Sequence, residues 1–169
     1  MAKQAALVAL RCTEISEKGH LNLSDCDLTK VPDGIFMLTR SSVVTSVDFE
    51  RNKLRRLSPE VANKYPQLTE LNLCQNFLQD LPLNLDSLSE LRVLDLSWNS
   101  LHFIPAVVFR IPKLERLILK QNQITRIPMK ELREMKSLRS IDIENNPLTE
   151  ETFTELQGLA ADKIVTVHL

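Results

Sequence analysis

The side chains that could perform chemistry are few in this chain of 169 residues, and their spacings match no common site motif. The three cysteines and three histidines are scattered along the sequence: Cys12, Cys26, Cys74, His20, His102 and His168. No C-x-x-C pair occurs, and no two histidines have the close spacing of zinc ligands. We therefore expect reduced thiols, no metal and no cofactor.

Glycine and charge exclude two further classes of site. The only glycines, Gly19, Gly34 and Gly158, are too far apart to form a phosphate-binding loop. The 21 basic residues are balanced by 22 acidic ones, a formal net charge of −1. A nucleic-acid binder normally carries a basic excess, so we expect no nucleic-acid partner.

The first residues bear on location. The apolar run at residues 5–10 is interrupted by Arg11, so it is short for a signal peptide and far short of a membrane span. With unpaired cysteines, this predicts a protein of the cytoplasm, with the nucleus as the alternative, and no membrane partner.

Leucine, which occurs 29 times, reveals an internal repeat. The segments LTELNLCQNFL, LRVLDLSWNSL, LERLILKQNQI and LRSIDIENNPL share the pattern L-x-x-L-x-L-x-x-N-x-L. Extending it upstream gives a column of Cys26, Asn52, Asn76, Asn99, Asn122 and Asn146. Its members are 26, 24, 23, 23 and 24 residues apart, which predicts six structural turns.

Each turn is expected to begin with a short strand whose leucines point inward and stack on those of the next turn. The column Asn should bond backbone groups that would otherwise be buried without partners. After each strand, an apolar residue followed by proline, as in Leu81-Pro82 and Ile104-Pro105, favours an extended return path. Apolar residues farther on predict short helical or 3₁₀ segments on the convex side.

Both ends of such a stack need caps. Residues 3–17 predict an N-terminal helix with an apolar face of Ala6, Leu7, Leu10 and Ile15. Residues from Thr149 predict a capped helix. The segment 164–169 reads as a last strand, although its end also resembles a peptide ligand for strand-addition domains.

The repeat pattern and the missing cysteine clusters make the chain similar to intracellular leucine-rich-repeat proteins of the short, proline-containing class. This resemblance implies an α/β right-handed solenoid with a curved parallel concave sheet, and a role in protein interaction. It carries no catalytic residues across. We expect a single domain over 1–169, with an N-terminal cap at 1–18, six repeats at 19–148 and a C-terminal cap at 149–169.

On the predicted concave face, apolar residues gather where polar ones are expected, with charged residues around them. This is the composition of a binding hot spot. The predicted partner-binding residues are Trp98, Val93, Ile118, Asp95, Arg92, Arg116, Lys120, Glu70, Cys74 and Gln121. The register also places Gly19, Ser24 and Ser97 on this face. The competing interpretation is that strands tolerate exposed Val and Ile, and that Trp98 simply lies flat over its neighbours.

Two functions follow. The first is a monomeric, non-catalytic module or adaptor that binds a protein or peptide on the concave sheet. The alternative is a hydrolase or transferase that uses a site around Cys74 and His102. Catalysis needs a nucleophile and a base in a water-excluding pocket, which an open sheet does not readily provide, so we favour binding. The basic pair Arg55-Arg56 is interpreted as solubilising charge.

Overall fold

The computed structural model of the chain describes residues 2–161 and 165–169. Its centre is a parallel sheet of seven short strands in chain order. The strands are β1 (His20–Asn22), β2 (Ser46–Asp48), β3 (Glu70–Asn72), β4 (Val93–Asp95), β5 (Arg116–Ile118), β6 (Ser140–Asp142) and β7 (Thr166–His168). The first six begin the six predicted turns, and the stack forms the expected curved α/β solenoid.

The return path of each of the first five turns carries a short helix on the convex side. These segments are α2 (Gly34–Leu38), α3 (Glu60–Lys64), two 3₁₀ helices (Leu83–Ser87 and Ala106–Arg110) and α4 (Met129–Glu134). Proline stands immediately before four of them, at positions 59, 82, 105 and 128. Proline suits these places because its φ is fixed, and because the backbone N–H that it lacks would have no partner within the helix at that position. The predicted convex segments are confirmed.

The asparagine column ties neighbouring turns together, as predicted. The Asn122 Nδ2 group donates to the carbonyls of Leu96 and Leu119, both at 2.9 Å. Its Oδ1 accepts the N–H of Leu101 at 3.0 Å. Asn52, Asn76, Asn99 and Asn146 repeat this arrangement. One side chain therefore satisfies backbone groups of two turns.

The predicted N-terminal helix exists, but it ends at Thr13 instead of residue 17, and two of the four residues predicted to face inward, Ala6 and Leu10, are exposed. Helix α1 (Ala2–Thr13) buries Val8 and Cys12, which are four residues apart and face the first turn. Leu10 is instead 53% exposed, because a rotation of the helix about its axis decides which apolar residues meet the core. Leu7 and Ile15 are partly buried against it.

The C-terminal cap consists of α5 (Glu150–Ala161) and β7. The Thr149 hydroxyl accepts the N–H of Thr152 at 3.3 Å, which satisfies a donor of the first turn. Leu156 and Leu159 are buried in the core. Strand β7 pairs with β6, so the end of the chain forms a strand of the cap, as the favoured interpretation predicted. Ile164, the start of that predicted segment, lies outside the described residues.

Within the described part of the chain, no helix has the length and apolar character required to cross a bilayer.

Candidate functional site

The concave face is shaped by a left-handed backbone residue at the end of each strand segment. The residue before each column position has φ between 53° and 57°: Asp25, Arg51, Gln75, Trp98, Gln121 and Asn145. This region suits Asn, Asp and Gly and is strained for bulky side chains. Trp98, with φ 54°, is therefore an unusual occupant, and with 49% exposure about half of its surface is open to solvent.

A second column places an Asn or Asp at the last residue of nearly every strand. Its side-chain oxygen accepts the backbone N–H two residues later, as in Asp95 to Ser97 at 2.9 Å and Asn72 to Cys74 at 3.0 Å. Asn22, Asp48 and Asp142 do the same. This column of Asn and Asp therefore has a structural role, which is to stabilise the turn after each strand. Among the first six strands, β5 breaks the pattern with Ile118.

The sheet register brings the two unusual β-branched residues onto adjacent strands. Val93 is paired with Arg116, and Asp95 with Ile118, so Val93 and Ile118 are diagonal neighbours about 8 Å apart. Both are half-buried. Trp98 follows on the same turn as Val93, and its N–H donates to the Lys120 carbonyl at 2.9 Å. We name Val93, Trp98 and Ile118 the apolar centre.

The charges around the apolar centre are largely engaged in ion pairs. Arg92 Nη1 bonds the Glu115 carboxylate of the next turn. Lys120 Nζ lies 3.6 Å from the carboxylate of Glu144. Arg116 is exposed and forms no ion pair with any other residue that the structure describes. The rim is thus held in place, with Arg116 as its most available cation.

The remaining predicted site residues lie on the same face but differ in exposure. Glu70 is exposed beside Val93, its partner in the register. Gln121 is half-buried next to Trp98 on the following turn. Cys74 is half-buried and its sulfur accepts a bond from the Ser97 hydroxyl at 3.1 Å. The prediction is wrong for three other residues of this face, since Ser24, Ser97 and Gly19 are buried.

The repeat separates the two residues of the alternative catalytic site, since Cys74 precedes its column asparagine and His102 follows the next one. Burial raises the pKa of the Cys74 thiol above its usual value, which disfavours the nucleophilic thiolate. His102 lies in the loop after the strand segment, at the position that Gln79 occupies in the turn containing Cys74. A base close to the sulfur is required for nucleophilic catalysis. Among the described residues, no cluster of His, Cys, Asp and Glu could hold a metal ion.

The structure also brings together a second group of residues, which the sequence analysis did not identify as a site. Thr29, Lys53, Arg55, Arg56, Phe77, Gln79 and Ser100 line a groove of about 860 Å³ along the edge where the strands end. Phe77 is 54% exposed. The sequence alone marks Phe77 as unusual, because the other turns carry non-aromatic residues at its position in the repeat: Asp27, Lys53, Ser100, Gln123 and Pro147. We name this surface the edge groove.

Comparison with protein families gives a match to the leucine rich repeat family over residues 42–101 and 89–148. Podocan-like protein 1 of Mus musculus is 34% identical over 151 residues, covering 86% of this chain and 26% of that protein. Leucine-rich repeat-containing protein 20 of Homo sapiens is 34% identical over 96 residues, covering 54% of this chain and 52% of that protein. The chain thus spans between about a quarter and a half of these two relatives.

Solved structures show the same architecture. A leucine-rich-repeat protein of Leptospira interrogans superposes with a TM-score of 0.74 at 29% identity, covering 89% of this chain and 36% of that one. An internalin of Listeria monocytogenes gives a TM-score of 0.64 at 24% identity, covering 88% of this chain and 40% of that one, and supports the fold alone.

Proposed function

Since the chain belongs to the leucine-rich-repeat family, whose members generally mediate protein interactions, we propose that it is a non-catalytic module that binds a protein or peptide on its concave sheet. The observation that carries this proposal is the apolar centre. Trp98 occupies a backbone position that favours Asn, and Ile118 occupies a column of Asn and Asp. Both choices leave apolar surface facing solvent without serving the fold.

The arrangement suits a partner that presents an apolar side chain. Trp98 offers a broad exposed ring, Val93 and Ile118 provide a floor beside it, and Arg116 with Asp95 can orient polar groups at the margin. Aromatic residues surrounded by a charged rim dominate binding energy in many interfaces. We further propose that the protein acts as a monomer. We place it in the cytoplasm or the nucleus, because all three cysteines are free thiols, as in a reducing compartment.

The test is affinity capture from cell lysate with the wild-type protein, Trp98→Asn and the matched control Leu83→Asn. Asn suits the left-handed backbone at position 98, so this variant should keep its stability. Leu83 is 78% exposed on the convex side, so its replacement removes apolar surface away from the sheet. Trp98→Asn should weaken partner binding by roughly 2 kcal/mol, about thirtyfold.

The captured partner is then titrated directly. The chain contains a single tryptophan, so its fluorescence reports the apolar centre, and binding should shift the emission to shorter wavelength. Retention of every partner by Trp98→Asn, or equal losses in Leu83→Asn, would contradict the concave site.

A further inference from the structure

We propose that the edge groove is a second binding site, which takes a short acidic peptide segment containing an aromatic or bulky apolar residue. The site is separate from the apolar centre, and the proposal does not depend on the function argued above. It brings together the basic pair and the exposed phenylalanine, which lie in different turns of the sequence.

The cations of the edge groove are not equivalent. Lys53 Nζ forms an ion pair with Asp27 at 2.6 Å, so its charge is balanced within the protein. Arg55 and Arg56 are exposed, and neither forms an ion pair with another residue of the described chain. Each guanidinium can therefore bind an external carboxylate through two parallel hydrogen bonds.

An acidic residue stands close to these arginines, yet it does not neutralise them. Asp80 shares with Arg55 and Arg56 a neighbouring depression of about 380 Å³. Its Oδ1 accepts the backbone N–H of Leu81 at 2.8 Å. Two arginines without carboxylate partners lie side by side, which is the charge complement of an acidic segment.

Phe77 adds an apolar contact to this charge. In the same position of the repeat, neighbouring turns carry Lys53 and Ser100, which also line the edge groove. The exposed ring lies between these two polar neighbours, in the turn after that of Arg55 and Arg56. A ligand side chain can pack on the ring while carboxylates next to it in the peptide reach the two guanidinium groups of the preceding turn.

The length of the edge groove fits an extended peptide. Its lining residues come from four consecutive turns, from Thr29 in the first to Ser100 in the fourth. With strands ~4.8 Å apart, three intervals span about 15 Å, the length of four or five extended residues. Nucleic acid is the weaker occupant, because the groove offers only one aromatic platform and the chain has a net charge of −1.

The experiment measures fluorescence anisotropy of labelled synthetic peptides with the full chain. The probes are Glu-Glu-Phe-Glu-Glu, its neutral counterpart Gln-Gln-Phe-Gln-Gln, and labelled oligouridine. We expect the acidic peptide to bind at least tenfold more tightly than the neutral one, with an affinity that falls as salt rises. The double variant Arg55→Gln/Arg56→Gln should lose at least tenfold, and Phe77→Ser severalfold.

The matched control is Arg126→Gln. Arg126 is exposed and stands in the same repeat position as Arg56, three turns farther along, away from the lining of the edge groove. It should bind the acidic peptide as the wild type does, and so should Trp98→Asn, which separates this site from the apolar centre. Thermal melting of each variant checks the fold.

Three results would overturn the proposal. The first is equal binding of the acidic and neutral peptides. The second is the same loss in Arg126→Gln as in Arg55→Gln/Arg56→Gln. The third is tighter binding of oligouridine than of the acidic peptide, lost in Phe77→Ser, which would assign the edge groove to single-stranded nucleic acid.

Discussion

At the scale of single residues, the concave sheet combines positions that the fold requires with positions that the fold leaves free. Asn22, Asp48, Asn72, Asp95 and Asp142 each accept a backbone N–H two residues later. Ile118 stands in this column without an oxygen to offer. A residue that departs from a local structural rule without gaining full burial is a candidate for function.

Replacing Ile118 by Asn tests this interpretation. The new amide can accept the N–H of Lys120, so the free energy of unfolding should stay within about 1 kcal/mol of the wild-type value. Binding to the concave partner should nevertheless weaken, because apolar area is removed from the apolar centre. Denaturant unfolding and titration of the Trp98 fluorescence measure the two effects.

Leu117, the preceding residue, provides the contrast. It is completely buried, so Leu117→Asn should destabilise the protein by about 4 kcal/mol or more. If Ile118→Asn were equally damaging, Ile118 would be a core residue, and the apolar centre would reduce to Trp98 and Val93.

At the scale of elements, the strands are only three residues long, so the turns are held together by more than the sheet. The asparagine column supplies the additional bonds. Each amide joins its own turn to the preceding one, and those of Asn52, Asn76, Asn99 and Asn122 are buried. Losing such a side chain leaves several backbone groups without partners at once.

Asn122→Ala should therefore cost about 3 kcal/mol of unfolding free energy, since one acceptor for the Leu101 N–H and two donors to carbonyls disappear together. Gln123→Ala is the matched control, because the adjacent Gln123 is exposed, and it should change stability by less than about 0.5 kcal/mol. Equilibrium denaturation compares the two. Equal stabilities would mean that water replaces the lost amide.

At the scale of the whole molecule, one continuous core runs from Val8 in the first helix to Val165 before the last strand. A short solenoid with such a core is expected to unfold as one unit. The chain contains one tyrosine and one tryptophan, and they report different parts of it. Tyr65 is buried directly after helix α3, and its hydroxyl lies 2.8 Å from that of Thr39.

Alkaline unfolding tests this cooperativity. Burial raises the pKa of Tyr65 from 10.0 to about 12. As the pH rises, the unfolded chain loses the phenolic proton before the folded protein does. The contribution of Tyr65 to the free energy of unfolding is therefore fully present below pH 10.0 and is lost as the pH rises toward about 12. The loss should amount to about 2 kcal/mol.

Phenolate absorbance should increase together with the change in Trp98 fluorescence, because both follow global unfolding. Tyr65→Phe should remove this part of the pH dependence while other groups continue to titrate. Two separate transitions would show instead that the turn containing Tyr65 opens independently of the turn containing Trp98.

The architecture could be predicted from the sequence because equivalent positions in successive turns have equivalent surroundings. Once Asn76, Asn99 and Asn122 are aligned, each inward leucine has a defined neighbour one turn away, and the sheet order and core follow from stacking alone. The same alignment identifies Trp98 and Ile118 as departures from their columns. These inferences need only positions along the chain, which a regular period converts into positions in space.

Three further features were decided by the tertiary structure. The rotation of the first helix buries Val8 and Cys12 and exposes Leu10, because packing against one particular turn outweighs the average apolar face. The left-handed backbone at Trp98 follows from how tightly each strand turns. Arg56 and Phe77 share a groove because the curvature of the stack sets how closely neighbouring loops approach, and that distance depends on the packing of every turn together.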